Sequence, residues 1–355
     1  MPEARDAHSE EDTTGAPNTK PAARLRLLRK LPAMSGPFLG LVFVLTVAVI
    51  VLAINGQLSN FLTLRNLQTL LHASSVPGVA ALGMLLIIVS GGIDLSVGSV
   101  VALVTVGTMQ VYNLLEGRAA SPLLTSLGAV SVGIGIGVLC GLCNGLGVTR
   151  LRLAPFVVTL GMLSIARGLA IWLAGRTRLA FTGERPAWVD LFGVARAEHT
   201  LFAPGVWSFL LLSAVVAVLL RFTVLGRYCY AIGSNEATAR LCGINVERIK
   251  VAIYALAGLL VGWAGILRFA HGTSGDPNTG QGLELEVIAA VVIGGASLSG
   301  GRGTVGGTIL GVLILGVLEN SVSFFGVPVE VKYILIGVIV IANTALSRLQ
   351  RGATE

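Results

Sequence analysis

Long apolar runs alternate with short polar stretches along most of the chain. The runs occupy residues 38–54, 66–90, 96–115, 123–148, 154–174, 205–221, 251–270, 284–297, 304–325 and 331–347. A bilayer core about 30 Å thick is crossed by a helix of about 20 apolar residues. The pattern therefore predicts ten transmembrane helices, or eleven if Pro77, which removes an internal hydrogen bond, divides the second run into two half-helices. The expected fold is an all-α polytopic membrane protein with its membrane domain over 37–350. Residues 1–36 are polar and rich in Ala, Pro, Thr and charge, which predicts a disordered tail. The tail ends in the basic stretch RLRLLRK (24–30), and no small-x-small cleavage site follows the first run. That run is read as an uncleaved span with a cytoplasmic N-terminus.

Composition agrees. The chain is 54% hydrophobic and 12% charged, with a mean hydropathy of +0.83. Soluble domains carry about twice that share of charge, so the excess apolar surface must face lipid. The net charge of +7 is not spread over one face. It collects in TRLRL (149–153), in the loop 221–250 and in the C-terminal SRLQRGATE, all of which the ten-helix topology puts on the N-terminal side. The loop 175–204, on the other side, is mixed in sign, and 271–283 carries no Lys or Arg. This is the positive-inside distribution of a membrane protein with both termini in the cytoplasm. It is not a nucleic-acid-binding face.

The 46 glycines are not random. Gly133, Gly137, Gly141 and Gly145 recur every fourth residue, as do Gly303, Gly307 and Gly311, and Gly258 with Gly262. In lipid such stripes let helix backbones approach closely. Cys140 and Cys143 form a C-x-x-C inside one of these helices without a second ligand pair, so small residues packing against neighbours is the reading there. An internal echo links IIVSGGIDLSVGSVVALV (87–104) to VVIGGASLSGGRGTVGGTILGVL (291–313). Each reads apolar run, Gly-Gly, Leu-Ser, small residues, new apolar run, as in duplicated transport units with interrupted helices.

Two stretches break the apolar pattern most sharply. One is Gly91, Gly92, Asp94 and Ser96 in SGGIDLSVGS (90–99). A carboxylate amid such a run is costly. Two readings stand: Asp94 caps the following helix, starting at Leu95 or Ser96, through its free amides, or it faces a translocation route and accepts substrate hydroxyls. Asn144, Arg167 and Glu319 are polar in equally apolar context, and Arg167 needs an acidic or carbonyl partner. Glu284 and Glu286 are placed near the outer end of the eighth segment, in a vestibule or among headgroups. The second stretch is the long polar loop 221–250. Asn235 is a good N-cap, Glu236 suits the positive end of a helix, and Gly243 can end one in the left-handed conformation. The prediction is a short helix on the cytoplasmic side, lying along the membrane.

No G-x-x-x-x-G-K-[ST] occurs, so no phosphate-cradling loop is present. No catalytic constellation is found, the four histidines are scattered, and neither a metal nor a cofactor is implied.

SGGIDLSVGS (90–99), PFVVTLGMLSIARGLA (155–170), GRYCYAIGSNEATARLCGI (226–244) and the stretch from Leu283 to Asn320 together resemble the permease subunits of bacterial ABC importers for monosaccharides, the ribose-type family. The resemblance runs from about residue 60 to the C-terminus. It implies a homodimer in the inner membrane, moving a monosaccharide by alternating access. It also implies a cytoplasmic ATP-binding subunit that hydrolyses ATP and a periplasmic sugar-binding protein that delivers substrate. Gly226, Arg227, Tyr230, Gly233, Asn235, Glu236, Arg240 and Gly243 would then belong to the loop docking on the ATPase. The substrate pathway is assigned to Gly91, Gly92, Asp94, Ser96, Asn144 and Glu284. The chain departs from the family at Ser234, Cys242 and Glu286, where Gly, Ser and Asp are usual. Related permeases for branched-chain amino acids or nucleosides, and ion-driven secondary transporters, are the alternatives.

Overall fold

In hydrocarbon every backbone N–H and C=O must be satisfied within the chain, so apolar runs fold as helices. The computed structural model describes residues 35–118, 121–194 and 201–324, with Ile334 and Gly337. Residues 1–34 of the expected N-terminal tail, all but two residues of the last expected span and the C-terminal basic stretch lie outside the described residues, while the last two residues of that tail begin the first helix. So does part of the loop 175–204.

The order of elements is α1 (Ser35–Ile54), α2 (Leu58–Phe61), α3 (Leu64–Val89), α4 (Val97–Glu116), α5 (Pro122–Thr149), α6 (Pro155–Leu173), α7 (Ala187–Gly193), α8 (Pro204–Phe222), α9 (Val224–Ser234), α10 (Glu236–Leu241), α11 (Val246–Gly272), α12 (Leu283–Ile293) and α13 (Val305–Phe324). Among the described residues there is no strand, only a bridge pairing Leu179 with Gly275. Among the described residues, eight helices are long and apolar enough to cross a membrane: α1, α3, α4, α5, α6, α8, α11 and α13.

Burial sorts these into layers. The most apolar window of α3 is 89% buried and that of α4 78%, against 17% for α1 and for α6. Thus α3 and α4 form the centre, while α1 and α6 present side chains such as Phe43 and Trp172 to the outside. The most extensive seam joins α5 to α11. A Cβ on Gly137 would lie 2.6 Å from Gly262 Cα, and one on Gly258 would lie 3.0 Å from Gly141 Cα. Of the stripes read from the sequence, Gly137, Gly141, Gly258 and Gly262 therefore do pack backbone on backbone, whereas Gly133 meets the side chains of Thr108 and Ile266, and Gly303 lies before α13 against the side chains of Leu85 and Val89. In α13, Gly307 and Gly311 meet the backbone of Gly294 and Ala290 of α12. Cys140 is half-buried on this same α5, whereas Cys143 is exposed, contrary to the packing expected for both.

Of the two readings of Pro77, the undivided one holds: α3 runs unbroken through it, because neighbouring elements pack it on all sides, and the interruption comes at Ser90. A different expectation is corrected. The segment 284–297 is not a full-length spanning helix. Its helix, α12, has 11 residues, roughly 16 Å and about half a bilayer core. The preceding loop, expected outside, dips into the bundle along α4. Gly275 lies against Met109, the Asp276 N–H donates to Thr105 Oγ1 at 3.3 Å, and Gly280 lies against Gly98. Arg167 of α6 pins this loop, donating to the carbonyls of Pro277 (2.6 Å) and Thr279 (2.9 Å). Its partners are therefore the carbonyls its apolar setting required.

Candidate functional site: two helix breaks and the loop that joins them

The chain leaves α3 through a Schellman turn. Gly92 N–H donates to Ile87 O and Gly91 N–H to Ile88 O, both at 2.9 Å, with Gly91 at φ +82°. Such a turn needs the left-handed conformation that glycine adopts without a Cβ penalty. Asp94 follows, 6% exposed. Its Oδ1 accepts from the Ser96 N–H (2.8 Å) and from the Ser96 hydroxyl (2.6 Å). Asn144 of α5 donates to Ser96 Oγ at 3.0 Å and lies 3.5 Å from Asp94 Oδ2. The helix α4 begins only at Val97, with Ser96 as its N-cap residue. Asp94 therefore fastens the N-cap residue itself rather than the helix's own free amides. Asn144 Oδ1 and the Tyr254 hydroxyl, which sits beside Gly92, are buried here with no hydrogen-bond partner.

The second break repeats the first. Ala296 N–H donates to Val291 O (3.1 Å) and Gly295 N–H to Val292 O (2.9 Å), with Gly295 at φ +91°. The two Schellman turns match Gly91 to Gly295, one residue away from the register that aligns the two Gly-Gly pairs. The left-handed position sets the correspondence, and the dipeptide as spelled does not. The second connection is also longer, with α13 starting at Val305.

The two breaks touch, and the loop between α8 and α11 holds them. Gly301 N–H donates to Val89 O at 2.9 Å. Gly233, in the last turn of α9, is wedged between them: a Cβ there would collide with Val89 O and lie 2.6 Å from Gly301 N. Around it, Tyr230 Oη donates to Gly303 O (2.7 Å) and Cys229 Sγ to Leu86 O (3.3 Å). The helix α9 is thus bonded to the end of α3 and to the connection that leads from α12 to α13.

Beyond α9 the loop folds as read. Asn235 Oδ1 accepts from Thr238 N–H at 2.9 Å, and Gly243 sits at φ +81°. Glu236 pairs with Arg240 (2.9 Å) and Lys250 (2.6 Å), and Arg240 also reaches Glu247 at 3.4 Å. Partial burial pushes the Glu236 carboxyl up, but the hydrogen bonds from Lys250 and Arg240 outweigh it and hold it below the usual carboxylate range. These pairs fix α10 to the first turns of α11. Gly226 packs against the carbonyls of Leu219 and Leu220, and Arg227 is exposed. Sequence reading passed over Leu241, which is 89% exposed at the tip of α10; an apolar residue on a polar six-residue helix was the available signal. Asn235→Ala should cost α10 about 1 kcal/mol. Amides of 236–241 should then exchange hydrogen roughly fivefold faster; unchanged exchange would remove the cap's role.

The structure brings Gly91, Gly92, Asp94, Ser96 and Asn144 together. It places Glu284 elsewhere, in the first turn of α12 with its carboxylate against Gly98 of α4. That position is inside the bundle and not at the outer end of a span.

The family model described as the permease component of the branched-chain amino acid transport system matches residues 66–344. The ribose import permease protein RbsC of Escherichia coli (strain K12) is 38% identical over 296 residues, 82% of this chain and 88% of that protein. The L-arabinose ABC transporter permease protein AraH of Azospirillum brasilense is 35% identical over 82% of each chain. The fructose import permease protein FrcC of Rhizobium meliloti is 35% identical over 81% of this chain and 79% of its own. No solved structure matches the chain. An all-α bundle with eight candidate spans, related over most of its length to these permeases, belongs to the sugar permease family of ABC importers.

Proposed function

We propose that this chain is the permease subunit that carries a monosaccharide across the inner membrane by alternating access. It would act as a homodimer with an ATP-hydrolysing cytoplasmic subunit and a periplasmic sugar-binding protein. The observation that carries this reading is the bonding of α9 to both helix breaks. A partner that pushes on α10, whose exposed Leu241 offers an apolar contact, moves α9 and with it the end of α3 and the connection between α12 and α13. ATP turnover in the partner is thereby converted into opening or closing of the bundle. The chemistry stays in the partner, and this chain supplies the moving walls. Asp94, Ser96 and Asn144 hold the first break in shape while it moves.

The test is uptake by proteoliposomes containing the permease, its ATP-binding subunit and its binding protein. Labelled D-ribose, L-arabinose, D-fructose and L-leucine are offered in turn. Uptake of one sugar, dependent on ATP and on both partners, is expected. Uptake of leucine alone would move the chain to the amino-acid branch. Uptake driven by an ion gradient without the partners would overturn the reading.

A further inference from the structure

The four histidines lie far apart in the sequence, but the fold stacks two of them. His72, in the third turn of α3, and His271, in the last turn of α11, have ring centroids 3.8 Å apart and planes inclined by 31°. His72 is hydrogen-bonded to the backbone of Gly193 at the end of α7. Its Nδ1 has no partner, so Nε2 is the donor to that carbonyl and Nδ1 is left to take a second proton. His271 Nε2 is likewise buried without a hydrogen-bond partner.

Four helices meet at this pair. A Cβ on Gly205, in the first turn of α8, would lie 3.3 Å from Ser75 Oγ of α3 and 3.8 Å from His271 Nε2. Just past His271, Thr273 at φ +47° turns the chain into the loop that Arg167 pins. The stack therefore ties the start of α3 to α7, α8 and the end of α11. This is the opposite end of α3 from Val89 and Gly233.

No carboxylate among the described residues contacts either ring. Asp190 of α7 is paired with Arg185, and Asp276 of the pinned loop with Arg178. On α4, Tyr112 donates to Glu184 O and Glu116 accepts from the Thr182 hydroxyl. Glu286 and Glu319 line the cleft beside Thr69, Ala73 and Pro77, on another face of α3. At this end α5 and α8 bring no titratable side chain. The charged neighbours on the two helices themselves are cations: Arg65 seven residues before His72, and Arg268 one turn before His271. A proton on either ring thus places an unpaired cation in a buried site, and a second sets two cations face to face at stacking distance.

We propose that the His72–His271 stack is a proton-operated latch. It is closed while both imidazoles are neutral, and it parts on acidification of the compartment at this end of the bundle, slowing transport. Its contribution is fully present above the imidazole range, near pH 6.5, and is lost as pH falls below that range. Histidine pairs at interfaces act as switches in this way. In the topology proposed above this end faces the periplasm, so the latch reads external pH.

The effect on transport rests on the permease reading, but the latch itself is tested without it. Thermal unfolding of the purified full-length chain in detergent is followed from about pH 7.5 to about pH 5, for wild type, His271→Phe and His72→Gln. Phenylalanine keeps a stacking ring, and glutamine keeps a donor for Gly193. The wild-type midpoint should fall at least about 4 °C further than that of either variant; an equal fall in all three would overturn the latch. In the proteoliposomes, acid on the binding-protein side should lower wild-type uptake at least threefold more than uptake by the variants, and superimposable pH profiles would overturn its control of transport. If wild-type protein takes up none of the sugars, the permease reading fails while the unfolding comparison still decides the latch. Should His271→Phe not accumulate, His271→Gln takes its place in both measurements, with the same outcomes.

Discussion

Gly233→Ala is expected to reduce coupled uptake at least tenfold while the chain still reaches the membrane. The added methyl has no space: the Val89 carbonyl fills its position, and Gly301 N lies 2.6 Å away. Both neighbours are backbone, so neither can swing aside. Either α9 backs out, or the Gly301–Val89 hydrogen bond that joins the two breaks is lost. In both cases force applied at α10 no longer reaches α3 and α12 together. Uptake measured beside ATP hydrolysis by the partner checks this, because hydrolysis should persist as uptake falls. Gly243→Ala is the contrast. Its φ of +81° makes alanine strained by roughly 1–2 kcal/mol, yet nothing lies within 4 Å of the new methyl. Its effect should stay within α10. Equal losses from the two substitutions would show that the breaks are not the receiving end.

Asp94→Ala should be the most damaging change at the first break. It leaves the Ser96 N–H and hydroxyl without their acceptor in a buried site, at roughly 1–3 kcal/mol for each orphaned group. Abundance in the membrane and thermal stability in detergent should both drop. Asp94→Asn keeps an oxygen in the place of Oδ1 and so preserves the turn, while removing the charge. It should accumulate normally and transport more slowly. If Asp94→Asn transports at the wild-type rate, Asp94 only shapes the turn; if Asp94→Ala is as stable as the parent, even that role is gone.

What the sequence disclosed and what it hid divide along a physical line. Features set by a few adjacent residues were legible: the Asn235 cap, the left-handed Gly243, the glycine stripes of α5 and α11, and the need of Arg167 for oxygen partners. A hydropathy window registers how apolar a stretch is, not how deep it lies. It therefore read α12 as a full-length span, took 273–282 for an outer loop and put Glu284 at the wrong level. Whether Pro77 divides α3 stayed open for a related reason. Proline weakens a helix locally, but α3 is enclosed on all sides, and packing decides. The meeting of Gly233 with Val89 and Gly301 was out of reach, since it depends on three distant segments arriving at one point. The register of the repeat was off by one because letters were aligned where backbone conformation carries the correspondence.

The loop pinned by Arg167 has a consequence for biogenesis. An 11-residue helix with Glu284 and Glu286 in its first turn is too short and too charged to leave the insertion machinery sideways into lipid on its own hydrophobicity. Its berth is made by protein: Gly98 and Thr105 of α4, and the guanidinium of α6. Those elements lie earlier in the chain and are in place when residues 273–293 emerge from the ribosome. The segment is therefore received by a finished half of the bundle, and the order in which the polypeptide is made becomes part of how this protein attains its topology.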